Sequence, residues 1–249
     1  MTKVHLLTRK EEIDEFKLKK DHKVAVVLDI LLATTTITSA LYDGATEVIP
    51  VLNRWEAEEI FQRGRKEETI LAGEEQAKPI KGFIYPSPLL IRPAIKGKRL
   101  ILSTTNGTVA LRKAAVAKKV YIASLLNNQA VSEAIHADKK ADCIIVICAG
   151  NSGEFCLEDF YGAGDFIHCL TKNHKQDYTL TDAAKAALYF YQSSSKIYDI
   201  LSSSHVGQLM KRFDAIEEVI FASKKGSIPI VPILKGQKVI IEHSIQRKE

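Results

Sequence analysis

The organisation of this chain follows from one stretch, LILSTTNGTVALRKA at residues 100–114. Its apolar start predicts a buried strand, its hydroxyl-rich middle predicts a turn, and its end predicts the first turns of a helix. A helix N-terminus leaves backbone N–H groups unpaired and carries partial positive charge, which suits a phosphate, sulfonate or carboxylate. The candidate anion-binding residues are therefore Ser103, Thr104, Thr105, Asn106, Gly107 and Thr108.

An earlier segment repeats this pattern. Residues 34–41 and 104–111 share the letters T-T-x-x-T-x-A-L, and each copy follows an apolar run. Threonine and serine are also good helix N-caps, so either copy alone is as easily a cap as a ligand site. The recurrence of strand, turn and helix in one order favours an internal repeat, and it adds Thr34, Thr35 and Thr36 to the candidate substrate-binding residues.

The composition is that of an ordinary soluble globular protein. The chain has 249 residues, 46% hydrophobic and 26% charged, with a formal charge of +5 spread along the sequence. This balance fits a small anionic substrate and gives no reason to expect nucleic acid. No signal-peptide pattern is present, and no apolar run approaches the ~20 residues of a membrane span, so we expect a cytoplasmic protein without membrane contact.

Apolar runs alternate with helical patterns along the chain, which predicts a three-layer α/β/α fold with a mainly parallel sheet. We expect a single domain over residues 1–249, with two similar sub-domains, about 1–97 and 98–249, as the alternative. Strands are predicted at 218–221, 228–234 and 238–245, where Pro229 and Pro232 suggest a sheet edge. The Pro- and Gly-rich segment 75–98 excludes a long regular element and suggests a lid or binding segment.

Ligands of such sheets bind beyond the carboxyl ends of the strands. Asp29, Glu74 and Asn151 each come just after or at the end of a predicted strand, as do the two threonine-rich segments. Purely structural turns would need glycines and caps but not these carboxylates. We therefore expect one site assembled from turns that are distant in sequence.

A predicted helix that begins at Leu157 carries further carboxylates. Glu158 and Asp159 lie in its first turn and Asp165 two turns later. Acids in a first helical turn also complement the helix dipole, but together with Asp29 they offer the oxygen ligands that Mg²⁺ prefers. We expect Gly162 and Gly164, inside the same helix, to have a packing reason, because each costs roughly 1 kcal/mol relative to alanine.

Several of these segments occur in one order that resembles the 2-phosphosulfolactate phosphatase (ComB) family, over roughly residues 20 to 235. The resemblance implies a Mg²⁺-dependent hydrolase that converts 2-phospho-3-sulfolactate to sulfolactate. It also implies a link to coenzyme M biosynthesis in methanogens and to sulfolactate formation in bacteria. The segments are DILLATTT at 29–36, GE at 73–74, KGF at 81–83, STTNGT at 103–108, CAG at 148–150, LED at 157–159 and AG at 163–164.

The chain departs from the family pattern close to these segments. The pattern has arginine at the positions of Leu32 and Glu75, and a glycine pair near Gln76 and Ala77. A substrate with phosphate, sulfonate and carboxylate groups needs cationic partners, since charge-assisted arginine contacts are the strong ones. These substitutions leave the native substrate, and turnover itself, open.

The roles assigned at this point divide the site in two. Asp29, Glu158 and Asp159 are assigned to the metal, with Glu74 orienting water or metal, so that Asp29, Glu74 and Glu158 are the catalytic candidates. The threonine-rich segments and Asn151 are assigned to the substrate anion.

Four further interpretations stay open. A haloacid-dehalogenase-type phosphatase would use Asp29 as nucleophile, but it needs a second aspartate where this chain has Leu31. A family member that lost its chemistry would be a non-catalytic anion-binding protein. His205 is either a substrate donor or part of a helix-capping turn. The aromatic residues 189–191 are either core or an oligomer contact such as that of a homodimer.

Overall fold

The computed structural model describes residues 1–138, 141–174, 177–193 and 196–242. Its centre is a mixed, mainly parallel sheet of eleven strands with helices on both faces, which confirms the predicted three-layer α/β fold. The strands are β1 (Thr2–Leu7), β2 (Lys23–Leu28), β3 (Glu47–Val51), β4 (Thr69–Glu75), β5 (Lys78–Pro79), β6 (Arg99–Ser103), β7 (Lys119–Ala123), β8 (Cys143–Cys148), β9 (Tyr178–Leu180), β10 (Pro232–Lys235) and β11 (Lys238–Ile241).

Polar side chains at the chain's turns start several of the helices. Asn53 caps α3 by accepting the Glu56 N–H at 3.0 Å, and Ser204 caps α10 by accepting the Gly207 N–H at 3.1 Å. The helices are α1 (Glu15–Lys19), α2 (Ala33–Tyr42), α3 (Arg54–Arg63), α4 (Pro88–Ile95), α5 (Gly107–Ala114), α6 (Asn128–Asp138), α7 (Leu157–Thr171), α8 (Asp182–Ser193), α9 (Ile197–Ser203), α10 (His205–Arg212) and α11 (Ile216–Ala222), with short 3-10 helices at Lys10–Glu12 and Lys66–Glu68.

The sheet contains two parallel groups. Its strand order is β5-β4-β6-β3-β11-β10-β7-β2-β8-β1-β9. Strands β4, β6 and β3 form one parallel group, and β7, β2, β8, β1 and β9 form the other. The sub-domain boundary considered near residue 97 falls within the first of these groups, because β6 follows the boundary and pairs with β3 and β4, which precede it.

The β10–β11 hairpin joins these two groups. β11 pairs antiparallel with β3 and β10 pairs antiparallel with β7, so the hairpin lies in the middle of the sheet. The prediction that Pro229 and Pro232 mark an edge is wrong. Pro232 is tolerated because it is the first residue of its strand, where a missing N–H costs little.

Alternate residues of the strands enter two separate cores. In β2, Val24, Val26 and Leu28 belong to the core beneath α6, α7 and α8, whereas Ala25 and Val27 belong to the core beneath α2, α4 and α5. Both sets are buried, and each such Val or Leu contributes about 1.5–3 kcal/mol on burial. The strand is therefore apolar on both faces, as its sequence predicts.

Other predicted elements need correction. Residues 216–222 form α11 instead of a strand at 218–221, because Val219 and Ala222 recur at helical spacing and both are buried. Of the strand predicted at 228–234, only the part in β10 (Pro232–Lys235) is observed. The strand predicted at 238–245 is confirmed over β11 (Lys238–Ile241). Residues 243–245 lie outside the described part of the chain. The segment 75–98 contains an eight-residue helix, α4, which Ser87 caps and in which Pro88 occupies a first-turn position.

Within the described residues, no helix combines the length and apolarity needed to cross a membrane.

The two glycines of α7 have the packing reason that was expected. A Cβ on Gly162 would lie 2.6 Å from Ile30 Cδ1, and a Cβ on Gly164 would lie 2.2 Å from the Ala187 carbonyl oxygen. Close approach of α7 to its neighbours therefore depends on these positions.

Candidate active site

A cavity of about 680 Å³ lies where the turns after β2, β4, β6 and β8 meet. These strands come from both parallel groups, and α2 and α5 each contact strands of both. The turns therefore meet across the two groups, whereas the sequence predicted one edge of a single parallel sheet. The predicted site residues that line the cavity are Asp29, Glu74, Thr104, Thr105, Asn106, Asn151, Glu158 and Asp159.

The turn after β2 holds Asp29 in a fixed position. The backbone N–H of Asp29 donates to Thr34 Oγ1 at 2.9 Å, and Thr34 Oγ1 donates back to the Asp29 carbonyl at 2.9 Å. The Asp29 carboxylate accepts the Ala33 N–H at 3.3 Å. Burial raises the pKa of Asp29 to about 7; the charges of Glu74 and Glu158 add to the rise, while the Ala33 N–H and Lys10 oppose it.

The first threonine-rich segment does not face the cavity. Thr34, Thr35 and Thr36 are fully buried, and their hydroxyls donate to the carbonyls of Asp29, Ile30 and Pro86 at 2.8–2.9 Å. They are absent from the described lining of the cavity, so the structure gives these side chains a bracing position.

The second threonine-rich segment uses the same hydrogen bonds but also opens to the cavity. The Thr104 N–H donates to Thr108 Oγ1 at 3.0 Å, and that hydroxyl donates to the Thr104 carbonyl at 2.9 Å. Thr104, Thr105 and Asn106 line the cavity. Ser103 and Thr108 are buried behind them.

Gly107 brings the two turns into contact. A Cβ at this position would lie 2.5 Å from Asp29 Oδ2 and 2.4 Å from Ala33 Cβ, closer than side chains approach. The start of α5 can therefore lie against the Asp29 carboxylate only because residue 107 has no side chain. This contact places a helix N-terminus beside a carboxylate in one cavity.

Glu74 ties the β4–β5 turn to the second threonine-rich segment. Its Oε1 accepts the Thr105 N–H at 2.6 Å, and its Oε2 accepts the Ala77 N–H at 2.7 Å and the Thr105 hydroxyl at 3.0 Å. Gln76 and Ala77 adopt positive φ angles of 52° and 63° in this turn. Such angles suit glycine, and the family pattern has its glycine pair here.

The first turn of α7 brings two carboxylates to the cavity. Asp159 accepts the N–H groups of Ile30 at 2.8 Å and Gly150 at 3.1 Å, so it links three segments. Glu158 is buried, and its Oε2 has no hydrogen-bond partner among the described residues. Burial raises the pKa of both groups, and the charges of Asp29 and Glu158 raise that of Asp159 further.

The oxygens of Asp29 and Glu158 are of the kind that Mg²⁺ prefers, although Asp29, Glu158 and Asp159 do not all bring ligand atoms within 4.8 Å of one another. A buried carboxylate oxygen without a partner is costly, and a hard divalent cation is a partner for such oxygens. Burial is the main cause of the raised carboxyl pKa values, and a cation would offset both that cost and the repulsion that adds to it at Asp29 and Asp159. Asp165 does not belong to this group, because its carboxylate pairs with Lys225 at 2.6 Å and accepts the Asn128 side-chain N–H at 2.9 Å.

Sequence reasoning missed Lys10. This lysine is buried, and its Nζ donates to Asn106 Oδ1 at 2.8 Å and lies 2.9 Å from the Glu11 carboxylate. Asn106 Oδ1 also accepts the Ser152 N–H at 3.0 Å, and its amide donates to Asn151 at 3.3 Å. Lys10 follows the end of β1 by three positions, and that placement was the available signal.

An apolar wall also went unpredicted. α10 and the turn after it contribute Val206, Leu209, Met210 and Phe213 to the cavity, beside His205. Ser204 caps α10, which confirms the helix-capping alternative. His205 lines the cavity, and its role as a substrate donor stays a prediction. The cavity lining also includes the apolar or aromatic residues Leu31, Leu32, Tyr85 and Leu90.

A separate group of potential metal ligands lies near the amino ends of β1 and β9. His136 and His174 stack with ring centroids 3.5 Å apart, and a nitrogen of each lies 3.9 Å from the Asp177 carboxylate. His136 also makes a 3.1 Å hydrogen bond with the Tyr178 hydroxyl.

The matching family and the names of its relatives define the class, that of a phosphoric monoester hydrolase, and an α/β fold with carboxylates beside a helix N-terminus is compatible with it. The chain belongs to the 2-phosphosulfolactate phosphatase family, whose model matches residues 7–237. This membership sets aside the haloacid-dehalogenase alternative.

Relatives in clostridia carry the same description. A probable 2-phosphosulfolactate phosphatase of Clostridium perfringens (strain SM101 / Type A) is 38% identical over 99% of both chains. A probable 2-phosphosulfolactate phosphatase of Clostridium botulinum (strain Eklund 17B / Type B) is 34% identical over 88% of this chain and 91% of its own length. One of Clostridium kluyveri is 32% identical over 96% of this chain and 99% of its own.

Proposed function

We propose that this chain is a Mg²⁺-dependent phosphatase that hydrolyses 2-phospho-3-sulfolactate, or a related phosphorylated 2-hydroxy acid, to the free hydroxy acid and phosphate. One observation carries the proposal: the carboxylates of Asp29 and Glu158 share a cavity with the Thr104–Asn106 turn at the N-terminus of α5. The names of the relatives support the substrate class.

The phosphate would lie at the turn after β6. Thr104 and Asn106 bring a hydroxyl and an amide to the cavity lining, and the N-terminus of α5 adds partial positive charge. The hydroxyl and N–H of Thr105 already donate to Glu74, so Thr105 shapes this turn through Glu74. Lys10 lies behind Asn106 and orients its amide. Asn151 extends this donor set on the far side of Asn106.

Asp29 and Glu158 would hold the cation, with Asp159 beside them. Bound Mg²⁺ neutralises charge on phosphoryl oxygens and lowers the pKa of bound water. Asp159 keeps the Ile30 and Gly150 N–H groups in place around the ion-binding carboxylates.

Glu74 would orient water or the metal. Its carboxylate already accepts three hydrogen bonds from the turns on either side, which fixes it at the rim of the cavity. During hydrolysis a water oxygen bonds to phosphorus, the P–O ester bond breaks, and the departing alkoxide takes a proton.

The test is phosphate release from 2-phospho-3-sulfolactate with Mg²⁺ and with EDTA. We expect release that requires the metal and returns when Mg²⁺ is restored after EDTA. Binding of the ester without turnover at any metal tested would instead support a non-catalytic anion-binding protein. We further propose, on the resemblance alone, that the reaction takes place in the cytoplasm and supplies sulfolactate.

A further inference from the structure

The cavity is more apolar than a phosphate-and-metal site requires. Its volume of about 680 Å³ falls in the range of roughly 300–1,000 Å³ that holds drug-sized ligands. In addition to the carboxylates, its lining includes six large apolar or aromatic side chains, those of Leu32, Tyr85, Leu90, Leu209, Met210 and Phe213.

Part of this apolar wall is open to solvent. Leu90 is 58% exposed and Phe213 is 69% exposed, although both face the cavity. Removing such surface from water is favourable, at about 25 cal/mol per Å². A ligand with a hydrocarbon group would cover these side chains, whereas a sulfonate would leave them exposed or lose its own hydration.

The charges of the cavity also favour a substrate without a sulfonate group. Four carboxylates line it, those of Asp29, Glu74, Glu158 and Asp159, and the basic side chains among its described lining residues are Lys78 and His205. Lys10 is already engaged by Asn106 and Glu11. A substrate with phosphate, sulfonate and carboxylate groups would bring more negative charge than these partners and one divalent cation can offset, and unpaired charge is costly to desolvate.

We propose, resting on the function proposed above, that the preferred substrate is a phosphorylated 2-hydroxy acid with a hydrocarbon group where sulfolactate has its sulfonate. The phosphate lies at the Thr104–Asn106 turn and the hydrocarbon lies against α10 and Leu90. Lys78 is the cation available to the remaining carboxylate.

Steady-state kinetics with a pair of esters test the proposal. We expect kcat/KM for 2-phospho-3-phenyllactate to exceed that for 2-phospho-3-sulfolactate by at least about tenfold, since apolar groups in a hydrophobic pocket give discrimination of this size. Equal values, or a preference for the sulfonate, would overturn the substrate class while leaving the phosphatase function intact. Absence of phosphate release from both esters would contradict the phosphatase function itself.

Calorimetric binding in EDTA separates the preference from turnover. The phenyl ester should bind at least about tenfold more tightly than the sulfonate ester, because the apolar wall is present without metal. Equal or weaker binding of the phenyl ester would overturn the inference even if the protein proved inactive on both.

A charge placed in the wall should reverse the preference. Leu90→Arg puts a cation at a half-exposed lining position, where the fold tolerates it, and should raise kcat/KM for the sulfonate ester while lowering that for the phenyl ester. Leu52→Arg is the control, because Leu52 is 46% exposed and lies outside the cavity lining. An unchanged ratio in folded Leu90→Arg protein would count against the inference.

Discussion

The turns after β2 and β6 use the same hydrogen bonds to present different groups to the cavity. In each turn a threonine in the first turn of the helix accepts the N–H of the residue that follows the strand and donates to its carbonyl. That first residue is Asp29 in one turn and Thr104 in the other. The same backbone hydrogen bonds therefore present a carboxylate to the cavity in one turn and a threonine hydroxyl in the other.

Among the changes that test this difference between the two turns, removing the Asp29 charge should have the largest effect on phosphate release. Asp29→Asn keeps the size and the accepted Ala33 N–H but makes the turn after β2 as neutral as its counterpart. We expect metal-dependent phosphate release to fall by about 10³-fold, with the thermal unfolding midpoint unchanged or higher. Asp142→Asn, an exposed carboxylate at the amino end of β8, is the control, and near-normal turnover in Asp29→Asn would refute the assignment.

Separating the two turns should have the next largest effect. Gly107→Ala inserts a methyl group 2.5 Å from Asp29 Oδ2 and 2.4 Å from Ala33 Cβ, so one turn must move. A displacement near 1 Å can lower kcat by about 100-fold, and the strain should lower the free energy of unfolding by about 1–3 kcal/mol. Lys113→Ala on the same helix should do neither, and a fully active Gly107→Ala protein would mean that the contact is dispensable.

Titration of Asp29 should produce a smaller, pH-dependent effect. Its pKa is about 7 in the folded protein against a usual 3.8, so between these values the folded state holds a proton that the unfolded chain has lost. The free energy of unfolding should be highest below about pH 4, where Asp29 is protonated in both states. It should fall as pH rises toward 7.

If Asp29 binds Mg²⁺ as proposed, the ion competes with this proton, so metal affinity should rise about tenfold per pH unit up to about pH 7. Denaturant titrations at pH 5.5 and 8, each with Mg²⁺ and with EDTA, measure both effects. The same slopes in Asp29→Asn would assign the titration to another group.

The smallest effects should come from the two bracing hydroxyls. Thr34→Val and Thr108→Val each leave a buried backbone N–H unpaired, which costs about 1–3 kcal/mol. Stability losses should be similar, but Thr34→Val should lower kcat several-fold more, because the residue it braces carries the carboxylate. Equal kcat values in the two variants would show that this difference between the turns is unimportant for turnover.

Local patterns in the sequence were sufficient to find the turns but not to align them. The letters T-T-x-x-T-x-A-L pair Thr34 with Thr104, whereas the hydrogen bonds make Thr34 the equivalent of Thr108 and Asp29 the equivalent of Thr104. A hydroxyl that braces a turn and one that binds a ligand have the same sequence signature. The buried positions of Thr35 and Thr36 could therefore not be foreseen.

Contacts between distant parts of the chain explain most of the features that the sequence did not predict. Most strands and helices followed from apolar periodicity, and the carboxylates of Asp29, Glu74, Glu158 and Asp159 followed from their positions after strands or at a helix start. Lys10 reaches Asn106 from a distant part of the chain, and α10 reaches the cavity from beyond residue 200. No local pattern records such contacts, nor the insertion of the β10–β11 hairpin between β3 and β7.

That hairpin has a consequence for how the protein is made. Its strands are translated after β3 and β7, yet they fill the gap between them. Until residues 232–241 leave the ribosome, the nascent chain offers two unprotected strand borders, a form that readily pairs with other chains. We expect products truncated before residue 232 to aggregate, since the deletion removes the middle of the sheet and leaves its outer strands in place.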